Sequence, residues 1–305
     1  MQTEIVSYAG WQKNLRFFND HVELIVTLEV GPRIISYRRH QGENILKQYQ
    51  KQLGKSGEPE WCIRGGHRLW TAPEDFSITY HIDNEPVDFS QSQEGEVLLT
   101  SYQKNPVQLR KEISLTLDNS SHVSLRHTII NEDQKSLTLA PWALTVMAPG
   151  GLEIIPQPPL GEHPRDLSPN RNIVLWPYTD LADSRWQFGT QYLTLQQKAN
   201  SSPTKLGLAH RQRWVAYALN KNLFIKSFSF EEGATYPDGG CNFETFSNSD
   251  MIEIESLGPL AEVQPGNTVS LREDWHLFEL EEPTIQSKNS FENWLPDFLK
   301  KAELL

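Results

Sequence analysis

Short runs of β-branched and aromatic residues, separated by turn-forming residues, recur along nearly the whole chain and constrain its fold more than any other feature. The first run covers residues 21–30, is interrupted by Gly31-Pro32 and resumes at 33–37. Proline, glycine, asparagine and aspartate occupy the gaps, as in strands joined by turns. Many short strands at this spacing predict a large all-β sandwich. Comparable runs lie at residues 96–102, 111–117, 123–130, 137–146, 152–155, 173–175, 191–195, 214–219, 223–230, 242–246, 251–256 and 268–280.

A helical pattern is found only near the carboxyl end. Residues 291–305 place Phe298, Leu299 and Ala302 on one face, and Pro296 is the predicted start of the helix. No internal repeat or low-complexity tract divides the 305 residues. We therefore predict one sandwich domain over residues 1–280, with a helical tail over 281–305 packed on the same domain.

Charge and cysteine content limit the classes of partner. The formal net charge is −11, so a broad basic surface for nucleic acid or anionic lipid is not expected. Only Cys62 and Cys241 are present, which is not a disulfide framework. The first residues lack the pattern of a secretory signal, and no run of 18 apolar residues indicates a membrane span. We expect a cytoplasmic monomer or homodimer, with neither nucleic acid nor membrane as a partner.

The segment richest in ligand-binding chemistry reads RGGHRLWT and covers residues 64–71. Its two glycines allow a sharp turn. Arg64 and Arg68 offer rigid forks of donors, Trp70 offers a flat apolar face, and Glu74 follows closely. These groups predict a small-molecule pocket, and a sugar suits it best. The alternative is a structural turn, in which the arginines pair with carboxylates of this acidic chain and Trp70 belongs to the core.

Two carboxylates alternate with apolar residues late in the chain. Strand geometry puts Ile252 and Ile254 on one sheet face and Glu253 and Glu255 on the other. The acidic face then lies either in solvent or in a concave cleft, where a carboxylate can act as a proton carrier. Glu244 is a competing carboxylate for the same cleft. Which of the three glutamates faces the cleft stays open at this level.

Other chemistries find no support in the sequence. No phosphate loop, dinucleotide fingerprint, paired C-x-x-C, H-E-x-x-H or G-x-S-x-G motif is present. We therefore expect no cofactor and no metal. His127 lies within a strand pattern, where a structural histidine is the expectation.

Four stretches resemble the galactose mutarotase-like superfamily, which includes the aldose 1-epimerases. They cover residues 24–36, 64–74, 140–151 and 244–275. More narrowly, the chain resembles an uncharacterised family of the DUF4380 type within that superfamily. The resemblance implies an all-β supersandwich with a short C-terminal helix and a small-molecule carbohydrate as ligand, either neutral or carrying a phosphate or acid group.

The resemblance also implies roles for particular residues. Arg64 stands in a turn similar to the R-G-G turn of hexose-6-phosphate mutarotases, whose arginine lies at the sugar site. Glu255 resembles the glutamate that removes the proton from the anomeric hydroxyl. In the superfamily a histidine protonates the ring oxygen, but Trp142 stands in the comparable stretch here, and His67 is the substitute we expect. Arg68, Trp70, Glu74, Trp142 and Glu244 are the expected substrate-binding residues beside Arg64.

Three functions follow as hypotheses. The first is an aldose or sugar-phosphate 1-epimerase that interconverts α and β anomers by acid–base catalysis. The second is a sugar-binding or sensor protein without catalysis, because an indole cannot act as the acid. The third is a glycoside hydrolase or lyase that uses Glu244 or Glu74 beside Glu255, which depends on the separation of the carboxyl groups.

Overall fold

The computed structural model describes residues 2–281 and 291–305 and consists of two large antiparallel sheets with three short helices. Every strand run predicted from the sequence is found as a strand, so the all-β prediction is confirmed. The strands are β1 Gln2–Tyr8, β2 Trp11–Phe18, β3 Val22–Thr27, β4 Ile34–Arg39, β5 Gly66–Ala72, β6 Asp88–Gln91, β7 Val97–Gln103, β8 Leu109–Leu117, β9 Val123–Asn131, β10 Leu137–Met147, β11 Leu152–Pro156, β12 Ile173–Leu175, β13 Trp186–Phe188, β14 Tyr192–Gln196, β15 Thr204–Leu208, β16 Trp214–Leu219, β17 Asn222–Phe228, β18 Phe243–Ser247, β19 Ile252–Leu257, β20 Ala261–Val263 and β21 Thr268–Glu279. The helices are α1 Phe76–Thr79, α2 Pro237–Gly240 and α3 Phe291–Lys301.

The strands form an 11-stranded sheet and a 10-stranded sheet. The larger has the order β1-β2-β3-β4-β5-β10-β19-β18-β15-β12, with β20 paired to β10. The smaller has the order β13-β14-β11-β16-β17-β21-β9-β8-β7-β6. β5, β10, β19, β18 and β15 are therefore consecutive neighbours, which brings residues from distant parts of the sequence together in the larger sheet.

The main hydrophobic core lies between the two sheets. Ile252 and Ile254 enter it from β19, and Trp275 and Leu277 enter it from β21 in the smaller sheet. Full burial of such a side chain contributes about 1.5–3 kcal/mol. The predicted division of β19 into an apolar face and an acidic face is thus confirmed, because the apolar residues meet the opposite sheet.

The C-terminal helix packs on the side of the smaller sheet that faces away from the larger sheet. Phe291, Leu295 and Leu299 are buried in a separate cluster with Trp214 and other residues of β16 and β17. The predicted helix is confirmed, but its predicted start at Pro296 is wrong, since Pro296 lies inside α3. The apolar face continues ahead of the proline, and its packing keeps the first turn helical. Within residues 2–281 and 291–305, no helix has the length and apolar character needed to cross a bilayer.

The turn that leads into β5 depends on its two glycines. Gly65 has φ 97° and Gly66 has φ 71°, a region that side chains disfavour. A Cβ atom on Gly65 would lie 2.0 Å from the carbonyl oxygen of Lys47. The predicted sharp bend is confirmed, and it fixes where β5 enters the sheet.

Candidate functional site

Strand register places three of the predicted site residues in one row across the larger sheet. Arg68 pairs with Leu144, Leu144 pairs with Glu255, and Glu255 pairs with Glu244. Directly paired residues of neighbouring strands project from the same side of a sheet. Because Ile254 points into the core, this row faces away from the second sheet. We call it the outer face.

A lysine that the sequence analysis did not single out connects the two glutamates of this row. Lys205 of β15 places its Nζ 2.7 Å from Glu244 Oε2 and 3.0 Å from Glu255 Oε2. The Trp142 indole Nε1 donates a second hydrogen bond to Glu255 Oε2 at 3.0 Å. The rings of Trp142 and Trp176 lie 4.8 and 4.6 Å from the same ammonium. The ammonium is thus held between two carboxylates and two indole faces.

Burial and charge act in opposite directions on these groups. Burial raises the pKa of Glu255 above its ordinary value and that of Glu244 well above it, while the charge of Lys205 works against both shifts. Burial alone would lower the pKa of Lys205, but the two carboxylates outweigh it and hold that pKa above the ordinary value. The lysine is therefore a cation at neutral pH, and the pair of carboxylates is a proton-binding unit.

One oxygen of each glutamate has neither a hydrogen bond nor an ion-pair contact. Glu255 and Glu244 are each 0% exposed, yet neither Glu255 Oε1 nor Glu244 Oε1 is bonded to any residue that the structure describes. A buried carboxylate oxygen without a partner is costly, and such atoms are uncommon in folded proteins. These oxygens therefore keep unused capacity to accept hydrogen bonds.

Arg68 lies farther along the outer face, stacked on aromatic rings. Its guanidinium carbon is 4.1 Å from the centre of the Trp70 ring and 5.2 Å from that of Trp61. Its Nη1 forms an ion pair with Glu253 Oε1 at 3.0 Å. Trp70 and Trp142 contact each other edge to face at 5.5 Å, so the aromatic surface is continuous between Arg68 and Glu255. Flat apolar surface beside polar groups is the chemistry that binds a sugar ring.

Arg64 is engaged by the chain itself. Its Nη2 contacts Glu58 at 2.7 Å and Asn84 at 2.7 Å, and its Nη1 contacts Asp83 at 3.3 Å. Both terminal nitrogens therefore hold neighbouring loops, which matches the structural alternative for this arginine. Arg64, which the sequence predicts to bind the ligand, is thus engaged by neighbouring loops, whereas Arg68 lies on the outer face.

Glu74 lies at the rim of the outer face. It is exposed, and the hydroxyl of Tyr80 donates to its Oε1. The ring of Tyr80 lies 4.9 Å from that of Trp70, which ties this rim to the aromatic surface. Glu74 is therefore separated from Glu255 by a layer of aromatic residues.

A small cleft of about 50 Å³ opens beside Arg68 and Trp70. Residues of the smaller sheet, including Lys111, line its other side. Glu255 does not line this cleft and is covered by its neighbours. A ligand that enters beside Trp70 must therefore displace side chains such as Trp142 to reach Glu255.

His67 points in the other direction. It pairs with Thr145, which pairs with Ile254 of the core face. Its Nε2 lies 2.7 Å from Nε2 of His127, and its Nδ1 lies 3.0 Å from the Thr145 hydroxyl. Burial holds the pKa of His67 well below its usual range, and the neighbouring His127 and Lys226 act in the same direction. His67 and Glu255 thus lie on opposite faces of one sheet, so the structure does not bring the expected acid to the expected base.

The two histidines belong to a buried polar network between the sheets. The ligand atoms of His67, His127 and Glu273 lie within 4.8 Å of one another, a spacing that could hold a metal ion. However, Glu273 Oε1 is paired with Lys226 at 2.8 Å, and Glu273 Oε2 accepts from the Trp275 indole at 2.9 Å. A metal ion would have to displace the lysine cation, so the arrangement favours a structural network.

The structure adds site residues that the sequence analysis missed. They are Lys205, Trp61, Trp176 and Tyr80. Alternation within the segment TKLGL is the sequence signal that could have located Lys205. It puts Lys205 and Gly207 on one face, and the pairing of the strands makes this the face of Glu244. That pairing itself cannot be read from the sequence.

Comparison with solved structures supports a known architecture. A galactose mutarotase-like protein from Lactobacillus casei shares 11% identity at a TM-score of 0.58, covering 87% of this chain and 100% of that one. A galactose mutarotase-like protein from Clostridium acetobutylicum shares 10% identity at a TM-score of 0.58, covering 92% and 99%. Galactose 1-epimerase from Lactobacillus acidophilus shares 15% identity at a TM-score of 0.53, covering 92% and 99%.

These likenesses establish the fold. The chain has a mutarotase-like fold of two large antiparallel sheets with a short C-terminal helix, as the resemblance implied. No protein-family model matches the sequence, and no curated protein matches it. The narrower resemblance to the DUF4380 type therefore stays a prediction, and function has to be argued from the site.

Proposed function

We propose that this protein binds an aldose on the outer face of its larger sheet and interconverts the α and β anomers, with Glu255 as the base. The observation that carries the proposal is the partnerless buried oxygen of Glu255, set beside the indole of Trp142. An oxygen in that state can accept the proton of an anomeric hydroxyl. The mutarotase-like fold is consistent with this chemistry but does not by itself supply it.

The charges of the outer face favour a neutral sugar. Arg68 is paired with Glu253, and Lys205 is paired with both Glu244 and Glu255. No cation of this group is left over for a phosphate or a carboxylate, and the carboxylates are in excess. Of the ligands left open by the sequence, we therefore favour a neutral aldose over a phosphorylated or acidic sugar.

Sugar binding without turnover is the second candidate. Two observations favour it. Glu255 is fully covered by its neighbours. The group that donates a hydrogen bond to it is the indole of Trp142, which cannot act as the acid. Hydrolysis of a glycoside is less well supported, because the ammonium of Lys205 fills the space between Glu244 and Glu255. A glycosidic bond would have to occupy that space.

The test is anomer exchange in freshly dissolved α-hexoses, followed by polarimetry or NMR with the wild-type protein and two variants. Glu255→Gln should lower the catalysed rate by about 10²–10⁴, the usual contribution of one acid–base group. Glu94→Gln, at an exposed loop position, is the matched control and should behave as wild type. Equal activity of Glu255→Gln and wild type would refute the role of Glu255.

The second candidate gives a different result in the same samples. Binding without turnover predicts a ligand-dependent change in tryptophan fluorescence, since Trp70 and Trp142 form the aromatic surface, together with no acceleration for any sugar. Failure of both readouts across a panel of neutral and phosphorylated aldoses would exclude sugar chemistry at this face.

A further inference from the structure

Anomer exchange needs a proton donor as well as a base. The base takes the proton of the anomeric hydroxyl, and the ring oxygen must gain a proton as its bond to the anomeric carbon breaks. His67 lies on the opposite face of the sheet, and the indole of Trp142 does not release a proton at neutral pH. The donor has to come from another residue of the outer face.

Few groups on this face can donate, and Glu244, whose pKa burial raises well above its ordinary value, is the rival of Lys205 as the acid. The guanidinium of Arg68 keeps its protons in proteins and is held by Glu253. The hydroxyl of Tyr80 already donates to Glu74 at the rim. Lys205 is a cation, lies on the outer face and contacts Glu255 directly.

The position of Lys205 suits the geometry of the reaction. The hydroxyl oxygen and the ring oxygen of an aldose are bonded to one carbon, so acid and base must stand close together. Lys205 Nζ is 3.0 Å from Glu255 Oε2. An ammonium has three hydrogens, and the two carboxylates account for two of them, which leaves one for a ligand. The indoles of Trp142 and Trp176 hold the group in place.

Resting on the proposed function, we propose that Lys205 is the acid of the anomer exchange, in place of His67, which lies on the opposite face of the sheet. Glu255 Oε1 removes the hydroxyl proton, and the anomeric carbon forms a carbonyl. The electron pair of the broken bond goes to the ring oxygen, which receives a proton from Lys205. After rotation, the same oxygen attacks the other side of the carbonyl and returns its proton to Lys205. Glu255 then returns its proton to the new anomeric oxygen, so nothing is consumed.

Two substitutions separate proton donation from charge. Lys205→Gln removes both, whereas Lys205→Arg keeps the charge but does not release a proton. We expect both variants to lose about 10²–10⁴ in kcat with little change in KM. If Lys205 only balances the charge of the glutamates, Lys205→Arg will retain wild-type kcat, which would overturn the proposal.

The pH profile of kcat separates a lysine acid from an imidazole acid. With Lys205 as the acid, kcat of the wild-type protein should not fall between pH 6 and 8. A fall in that range would indicate an imidazole acid and contradict the proposal. If Lys205→Gln does not fold, as judged by thermal melting, Lys205→Arg and the wild-type pH profile decide the question.

Glu244→Gln is the internal comparison, because it removes the other partner of Lys205 and keeps the lysine. Loss of activity in Glu244→Gln together with full activity in Lys205→Arg would make Glu244 the acid and refute the role of Lys205. Absence of catalysis by the wild-type protein overturns both this inference and the proposed function. Catalysis that depends on Glu255 but not on Lys205 overturns this inference alone.

Discussion

Replacing Lys226 with methionine should destabilise the protein strongly while leaving its shape intact. Lys226 Nζ lies 2.8 Å from Glu273 Oε1 and 3.1 Å from the Thr145 hydroxyl, and both charged side chains are 0% exposed. Methionine fills nearly the same volume, so little of the effect should come from packing. What changes is that the carboxylate of Glu273 is left buried without its counter-ion.

The size of this effect follows from the burial of the pair. Removing one partner of a buried ion pair costs about 3–5 kcal/mol. In a chain of 305 residues each kcal/mol shifts Tm by about 1.6 °C, so the melting temperature should fall by roughly 5–8 °C. Lys226→Met/Glu273→Gln removes both charges and keeps an acceptor for the Trp275 indole, so it should recover most of the loss.

Urea unfolding followed by tryptophan fluorescence measures the change in free energy. Lys104→Met, at an exposed position, is the matched control and should lie within about 0.5 kcal/mol of wild type. A Lys226→Met protein as stable as that control would refute the reasoning, because it would show that the buried carboxylate of Glu273 does not depend on Lys226 as its counter-ion.

Three further predictions concern protonation and the turn before β5. Burial raises the pKa of Glu153 to about 8. Between pH 5 and pH 7 only the unfolded state loses this proton, so the free energy of unfolding of the wild type should decline by roughly 2–3 kcal/mol. Urea unfolding of Glu153→Gln should lack that decline. The hydrogen bond from His122 to Asp274 raises the pKa of His122. The stability contributed by this pair is therefore present below the ordinary histidine pKa and lost above the raised one. NMR titration of Asp274→Asn should show the pKa of His122 returning towards its usual range, and an unmoved pKa would contradict the pairing. Gly65→Ala should lower the free energy of unfolding in urea by more than about 2 kcal/mol, because its Cβ meets a backbone oxygen. Gly57→Ala, also at positive φ but in open space, should lower it by about 1 kcal/mol. Equal losses in the two variants would refute the clash.

The strand pattern carried most of the information about the fold. Runs of β-branched residues locate nearly every central strand, and alternation alone assigns Ile254 and Glu255 to opposite faces of β19. The strands at residues 2–18 and the strand β5 at residues 66–72 are not predicted by the pattern. Their polar or mixed composition hides the period of two that marks a half-buried strand.

The candidate site was predictable only in part, because it is assembled by strand order. Alternation places His67 and Arg68 on opposite faces only once residues 66–72 are known to form β5, so the sequence did not predict their separation. Lys205 was not predicted either. A lysine in a short strand is normally a solvated residue, and only the pairing of β15 with β18 shows that it meets two carboxylates.

Since β5 serves the core with His67 and the outer face with Arg68, it tolerates exchange of residues but not a change of length. Inserting or deleting one residue would turn the guanidinium towards the opposite sheet and the imidazole towards the outer face. Variation along this strand is therefore restricted to point replacements, and a library aimed at new ligand preferences should keep its frame fixed.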